Sequence, residues 1–157
     1  MSHVAKIDVV IKDLEALQAA CEALGLEFVQ GQKTFKWYGR WVNDYSAEDA
    51  AYHSGIKPED YGKCEHAIRI PGNSSAYEIG VVRNPNGEGY SLVYDFYNGG
   101  FGMSDKVGGK KCEKLVGEYG KGVARNQAKS MAKKYGYGWT EDFNETTGET
   151  TITLRRY

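Results

Sequence analysis

Residues 77–97 read YEIGVVRNPNGEGYSLVYDFY, two alternating runs around an Asn-Gly-containing turn. Tyr77, Ile79 and Val81 alternate with Glu78 and Gly80, and Tyr90, Leu92, Tyr94 and Phe96 alternate with Ser91, Val93 and Asp95, the period of strands with one buried and one wet face. Asn86-Gly87 supplies the φ > 0 residues that a hairpin turn requires. The stretch therefore predicts an antiparallel hairpin, and the chain around it is read relative to that pair.

Upstream, Ile7, Val9 and Ile11 alternate with Lys6, Asp8 and Lys12 as a first strand. Asp13 offers an N-cap oxygen, Leu14, Leu17, Cys21 and Leu24 recur at helical spacing and Gly25 stops the run, predicting a helix over about 13–24. Residues 26–29 and 33–42 read as strands and 66–70 as another, with an irregular insertion at about 43–63 between them. Downstream, a glycine-rich connection over about 98–109 reads as mobile and leads to a long helix ending near Tyr135, with Gly136 as its cap. Cys112, Val116, Tyr119, Val123, Gln127 and Met131 share one side of that helix and Lys110, Lys114, Lys121, Arg125 and Lys129 the other. Gly117, Gly120 and Gly122 each weaken it, and close packing against the sheet is the expected compensation. A final hairpin is expected from 137–143 and 150–156. The order βα, several β, α, ββ predicts an α+β two-layer sandwich: a mainly antiparallel sheet with two main helices on one face, forming a single domain over residues 1–157.

Composition narrows the setting more than the activity. Twelve Tyr, five Phe and three Trp against three Pro argue for a folded core. The start carries charge at once and the apolar runs are short, so neither a signal peptide nor a membrane span is expected. Three widely spaced cysteines without a C-x-x-C pair suggest neither a disulfide framework nor zinc, and fit a reducing, cytoplasmic compartment. The net charge of −1 conceals segregation: residues 106–134 hold nine basic residues against Glu113 and Glu118, while the rest holds 11 basic against 19 acidic, a net of −8.

No catalytic constellation, cofactor motif or metal set is visible. A phosphate-binding loop would need Gly in place of Ser104 and Ser or Thr in place of Lys111, and Cys64-Glu65-His66 lacks a second ligand pair. Two features stand above background. One is the basic helix face of Lys114, Lys121, Arg125 and Lys129; the other is the aromatic group around Trp37, Arg40 and Trp41, where a planar ligand or a partner could stack. Together they suggest a small binding protein that sequesters an anionic ligand such as a signalling nucleotide between basic helix, aromatic insertion and sheet. The alternatives are a protein-interaction adaptor of a larger partner such as an ATPase, and a weak nucleic-acid binder, which ranks behind because the −8 remainder would repel a long polyanion.

The opening Met1-Ser2-His3, the segment Ile11-Lys12-Asp13-Leu14-Glu15-Ala16-Leu17, Tyr77-Glu78-Ile79-Gly80, Gly89-Tyr90-Ser91-Leu92 and the ending Leu154-Arg155-Arg156-Tyr157 resemble a small family of unknown function, the cyanobacterial and plastid open-reading-frame products. The resemblance covers most of the chain in order. It implies one compact domain and a prokaryotic, plastid or phage-like origin, and it implies no reaction, because none of these motifs is catalytic.

Overall fold

The structure is a computed structural model that describes residues 4–37, 60, 62–85, 87–144, 146, 147 and 149–155. The expected hairpin forms from β4 (Ile79–Arg83) and β5 (Tyr90–Asp95). Its turn closes where Asn84 N–H donates to Gly89 O at 3.0 Å and Gly87 N–H to Asn84 O at 2.9 Å, with Gly87 and Gly89 at φ of 79° and 68°. Around this pair the sheet runs β1-β5-β4-β3-β2, antiparallel throughout, where β1 is Val4–Ile11, β2 Glu27–Val29 and β3 His66–Arg69. The architecture is α+β, as the element order predicts.

Helix α1 (Leu14–Ala23) starts and stops on the residues that announce it. Asp13 Oδ1 accepts the Ala16 N–H at 3.0 Å, which satisfies a donor that the first helical turn leaves orphaned. At the other end Gly25 takes φ 71°, Gly25 N–H reaches Glu22 O at 3.1 Å and Leu26 N–H reaches Cys21 O at 2.8 Å, the paired bonds of a Schellman cap. Leu17 and Cys21 of this helix meet Ile7, Ile11, Ile68, Ile79, Val81, Leu92 and Tyr94 from one face of the sheet.

The opposite face is not wet, as strand alternation alone would have it. Ser91, Val93 and Asp95 are all buried. Phe35 and Trp37 pack there with Ala67, Val82, Val93 and Cys64, and the Phe35 ring lies directly over Gly80, the one site on β4 without a side chain to hold it off. Segments far from β5 in sequence supply this cover, so a local pattern cannot announce it. The expected strand over 33–42 is represented by one bridge, Thr34 to Lys63, and residues 38–42 lie outside the described residues, as does nearly all of the 43–63 insertion.

The connection over 98–109 is packed rather than loose. Asn98, Gly99, Gly100 and Phe101 all take left-handed φ between 51° and 65°, Tyr77 N–H donates to the Gly100 carbonyl at 2.9 Å, and the short helix α2 (Met103–Val107) follows. Met103 and Val107 are fully buried in the main core.

Helix α3 (Glu113–Tyr135) begins later than expected, and the expected inward stripe holds at Cys112, Val116, Tyr119 and Val123 but not at Gln127 and Met131. Its buried residues are Leu115, Tyr119, Gly122 and Ala132, whereas Met131 is 47% exposed and Gln127 is exposed. Close approach joins the two helices: Gly122 sits on Ala16 of α1, where an added Cβ would come 3.2 Å from the Ala16 Cβ. The compensation for one of the three glycines is therefore contact with a helix rather than with the sheet, while Gly117 and Gly120 have open space beside them. The Tyr119 hydroxyl accepts the Lys12 and Asp13 N–H groups at 3.1 and 3.3 Å, and Asn126 Nδ2 donates to Asp13 Oδ2 at 2.9 Å. That bond and the Ala16 N–H hold the Asp13 carboxyl below its usual range. The last hairpin, β6 (Gly138–Phe143) and β7 (Thr150–Arg155), is a separate two-stranded sheet laid on the C-terminal half of α3.

Candidate functional site

The four basic residues expected to line a site lie on α3 along roughly 22 Å of helix. Three of them have partners. Lys121 pairs with Glu118 at 3.3 Å, one turn away on the same helix. Arg125 reaches Glu141 on β6, its Nε at 2.7 Å and a terminal nitrogen at 2.6 Å from Oε1. Lys129 Nζ stands 5.0 Å from the centroid of the Trp139 ring, also on β6. Lys114 is exposed. The C-terminal half of the stripe is thus the seat of the β6–β7 hairpin as well as a cationic surface.

Among the described residues, Trp37 and the basic stripe do not meet. Trp37 is half-buried on the sheet face where Phe35 and Val93 pack, while α3 lies with α1 on the other face. Arg40 and Trp41 lie outside the described residues. A composite pocket of basic helix, Trp37 and sheet is therefore not formed. The reason is alternation: Phe35 and Trp37 cover Gly80 and Val93, whose neighbours Ile79, Val81 and Leu92 point to the helices.

Rings that were not singled out in the sequence surround the basic residues instead. Tyr135, 57% exposed, stacks on Tyr137 with centroids 5.7 Å apart, and Lys134 Nζ lies 5.4 Å from the Tyr135 ring. Together with Lys129 over Trp139, this makes the end of α3 an interleaved set of cations and aromatic faces. The signal was present as Tyr135, Tyr137 and Trp139 at alternate positions beside Lys133-Lys134, but a last helical turn and a strand start normally explain such residues without a ligand.

Among the described residues the cysteines and Tyr94 are engaged in packing and internal hydrogen bonds. Burial pushes the thiols of Cys21, Cys64 and Cys112 up to about 12, so they stay protonated at neutral pH and are poor nucleophiles. Cys64 Sγ donates to Gln32 O at 3.1 Å, and Tyr94 donates its hydroxyl to Gly109 O at 2.5 Å. Among the described residues no group of three His, Cys, Asp or Glu could hold a metal ion, and no helix is long and apolar enough to cross a membrane.

His66 carries a pH dependence. Its Nδ1 accepts the Gly31 N–H at 2.9 Å, its ring lies 5.3 Å from Phe28 and 5.6 Å from Tyr90, and burial first, then Lys33, lowers its pKa below the ordinary 6.5. The folded state thus resists a proton that the unfolded chain accepts. Its contribution is complete above pH 6.5 and is lost as pH falls from there toward the folded pKa. Urea titrations at pH 7 and pH 5 are expected to show a smaller loss on acidification in His66→Asn, which keeps an acceptor for Gly31, than in the unaltered chain. Equal losses would assign the acid sensitivity to other groups.

An open groove of about 650 Å³ runs between the end of β1 and the middle of α3, lined by Val10, Asp13, Tyr119, Val123 and Asn126 among others. Asp13, Asn126 and Tyr119 are already engaged with one another and with the backbone of residues 12 and 13. No protein-family model, curated protein or solved structure matches the chain.

Proposed function

We propose that the chain is a small binding protein for an anionic ligand that carries a planar ring, a nucleotide being the class that combines both. The observation that carries this reading is the interleaving of Arg125, Lys129 and Lys134 with Trp139 and Tyr135 at the end of α3. Cations there attract phosphate, and an exposed ring offers a stacking face to a base. The reading moves the ligand from the insertion to the α3–β6 junction, and leaves Trp37 to the packing of the far face.

A thermal-shift and titration screen with nucleotides at low ionic strength tests it. Two double variants separate the halves of the stripe: Lys114→Gln with Lys121→Gln, and Arg125→Gln with Lys129→Gln. Nucleotide affinity is expected to fall several-fold in the second and to change little in the first. Equal effects, or no nucleotide bound by the unaltered protein, would end the proposal.

The adaptor reading has its own observation: Val10, Met131 and Tyr135 are large apolar side chains that are 53%, 47% and 57% exposed. A silent nucleotide screen together with a stable complex that Met131→Glu abolishes would favour it.

A further inference from the structure

Among the described residues, the most sheltered ion pair lies inside the candidate site. Arg125 and Glu141 have side chains 36% and 30% exposed, against 67% and 40%, 48% and 43%, and 46% and 34% in the other three. Two nitrogens on one edge of the guanidinium converge on a single carboxylate oxygen, and that edge, with its two parallel N–H groups, is also the one that an arginine offers to a phosphate. Next to it on the same face of β6 is Trp139, whose ring is held under Lys129. Strand alternation turns the neighbouring carboxylate, Asp142, to the other face of the hairpin.

From this we propose, building on the binding reading above, that Glu141 is an internal substitute for the ligand's anion. The Glu141 carboxylate occupies the Arg125 edge when the site is empty, and a phosphate or carboxylate takes that edge only by displacing that side chain, with Trp139 staying under Lys129. Occupancy of the site and the Arg125–Glu141 tie between β6 and α3 then compete, which loosens the hairpin without unseating it. The hairpin is suited to that, because two strands alone are marginally stable and this pair rests on α3 rather than on the main sheet.

Calorimetric titration of the full chain with ATP and with inorganic pyrophosphate at low ionic strength tests the idea in three forms of the protein: unaltered, Glu141→Gln and Asp142→Asn. An exposed or half-exposed ion pair is worth little, so Glu141→Gln is expected to bind both probes roughly threefold or more tightly. Asp142→Asn removes the same charge without freeing Arg125 and is expected to gain clearly less. Equal gains in the two variants would mean that general charge is responsible, and no gain in Glu141→Gln while the unaltered chain binds would mean that nothing is displaced; either result overturns competition but leaves the binding reading intact. If neither the unaltered chain nor Glu141→Gln binds either probe, both ideas fall. An independent readout avoids the variants: saturating ATP is expected to speed amide hydrogen exchange over residues 138–143 of the unaltered protein, and exchange that is unchanged or slowed refutes displacement.

Discussion

Met103→Ala is expected to lower the unfolding free energy by about 3 kcal/mol, within the range for emptying a fully buried site of this size. Met103 follows the left-handed turn and reaches the core formed by α1 and the sheet. The turn around it resists collapse into the cavity, since the Gly100 carbonyl is tied to the Tyr77 N–H and a Cβ on Gly100 would come 3.2 Å from Met103 Cβ. Neighbours that cannot shift leave more of the void open, and the cost grows with the void. Equilibrium urea denaturation reads the change directly; a loss below about 0.5 kcal/mol, as for a surface residue, would show that the connection is no part of the core.

Leu17→Ala is expected to cost a similar amount, about 3 kcal/mol, and Val123→Ala about 1 kcal/mol or less. Both residues were read from helical spacing as facing inward. Leu17 is fully buried between α1 and the sheet, whereas Val123 is half-buried at the rim of the groove. The contrast comes from Gly122, which brings α3 against Ala16 and so decides which residues face the seam. Denaturation curves that shift equally for the two variants would place the seam on the other side of Tyr119.

What could be read from the sequence is what neighbours in the chain decide. Asn86-Gly87 between alternating runs specifies the β4–β5 hairpin, and Asp13 and Gly25 bracket α1, because a turn or a cap is made by a few consecutive residues. What could not be read depends on partners distant in sequence. The far face of β5 is covered by Phe35 and Trp37, and the α3 face is chosen by Ala16. The stripe of Lys114, Lys121, Arg125 and Lys129 is legible as a pattern, but charge periodicity carries no notice that Glu141 and Trp139 will arrive from β6 to meet Arg125 and Lys129. Likewise Trp37 and the basic residues look like one aromatic-cationic group until the sheet is placed between them. Glycines over 99–109 suggest a loose strap by composition, yet left-handed backbone is also how a chain turns tightly enough to deliver Met103 inward.

The strand order has a consequence for how the molecule comes into being. Among the described residues β1 is an edge strand paired with β5, Ile11 opposite Tyr90 and Val4 opposite Asp95, so on a ribosome this partner strand starts to emerge only at Tyr90. The hairpin β4–β5, closed by its own short turn, can form first and then offers an edge to β3 on one side and to the waiting β1 on the other. Closing such distant pairs costs loop entropy before contacts repay it, which places the chain among the slower-folding small domains and leaves an apolar amphipathic strand and helix exposed throughout synthesis of its first half.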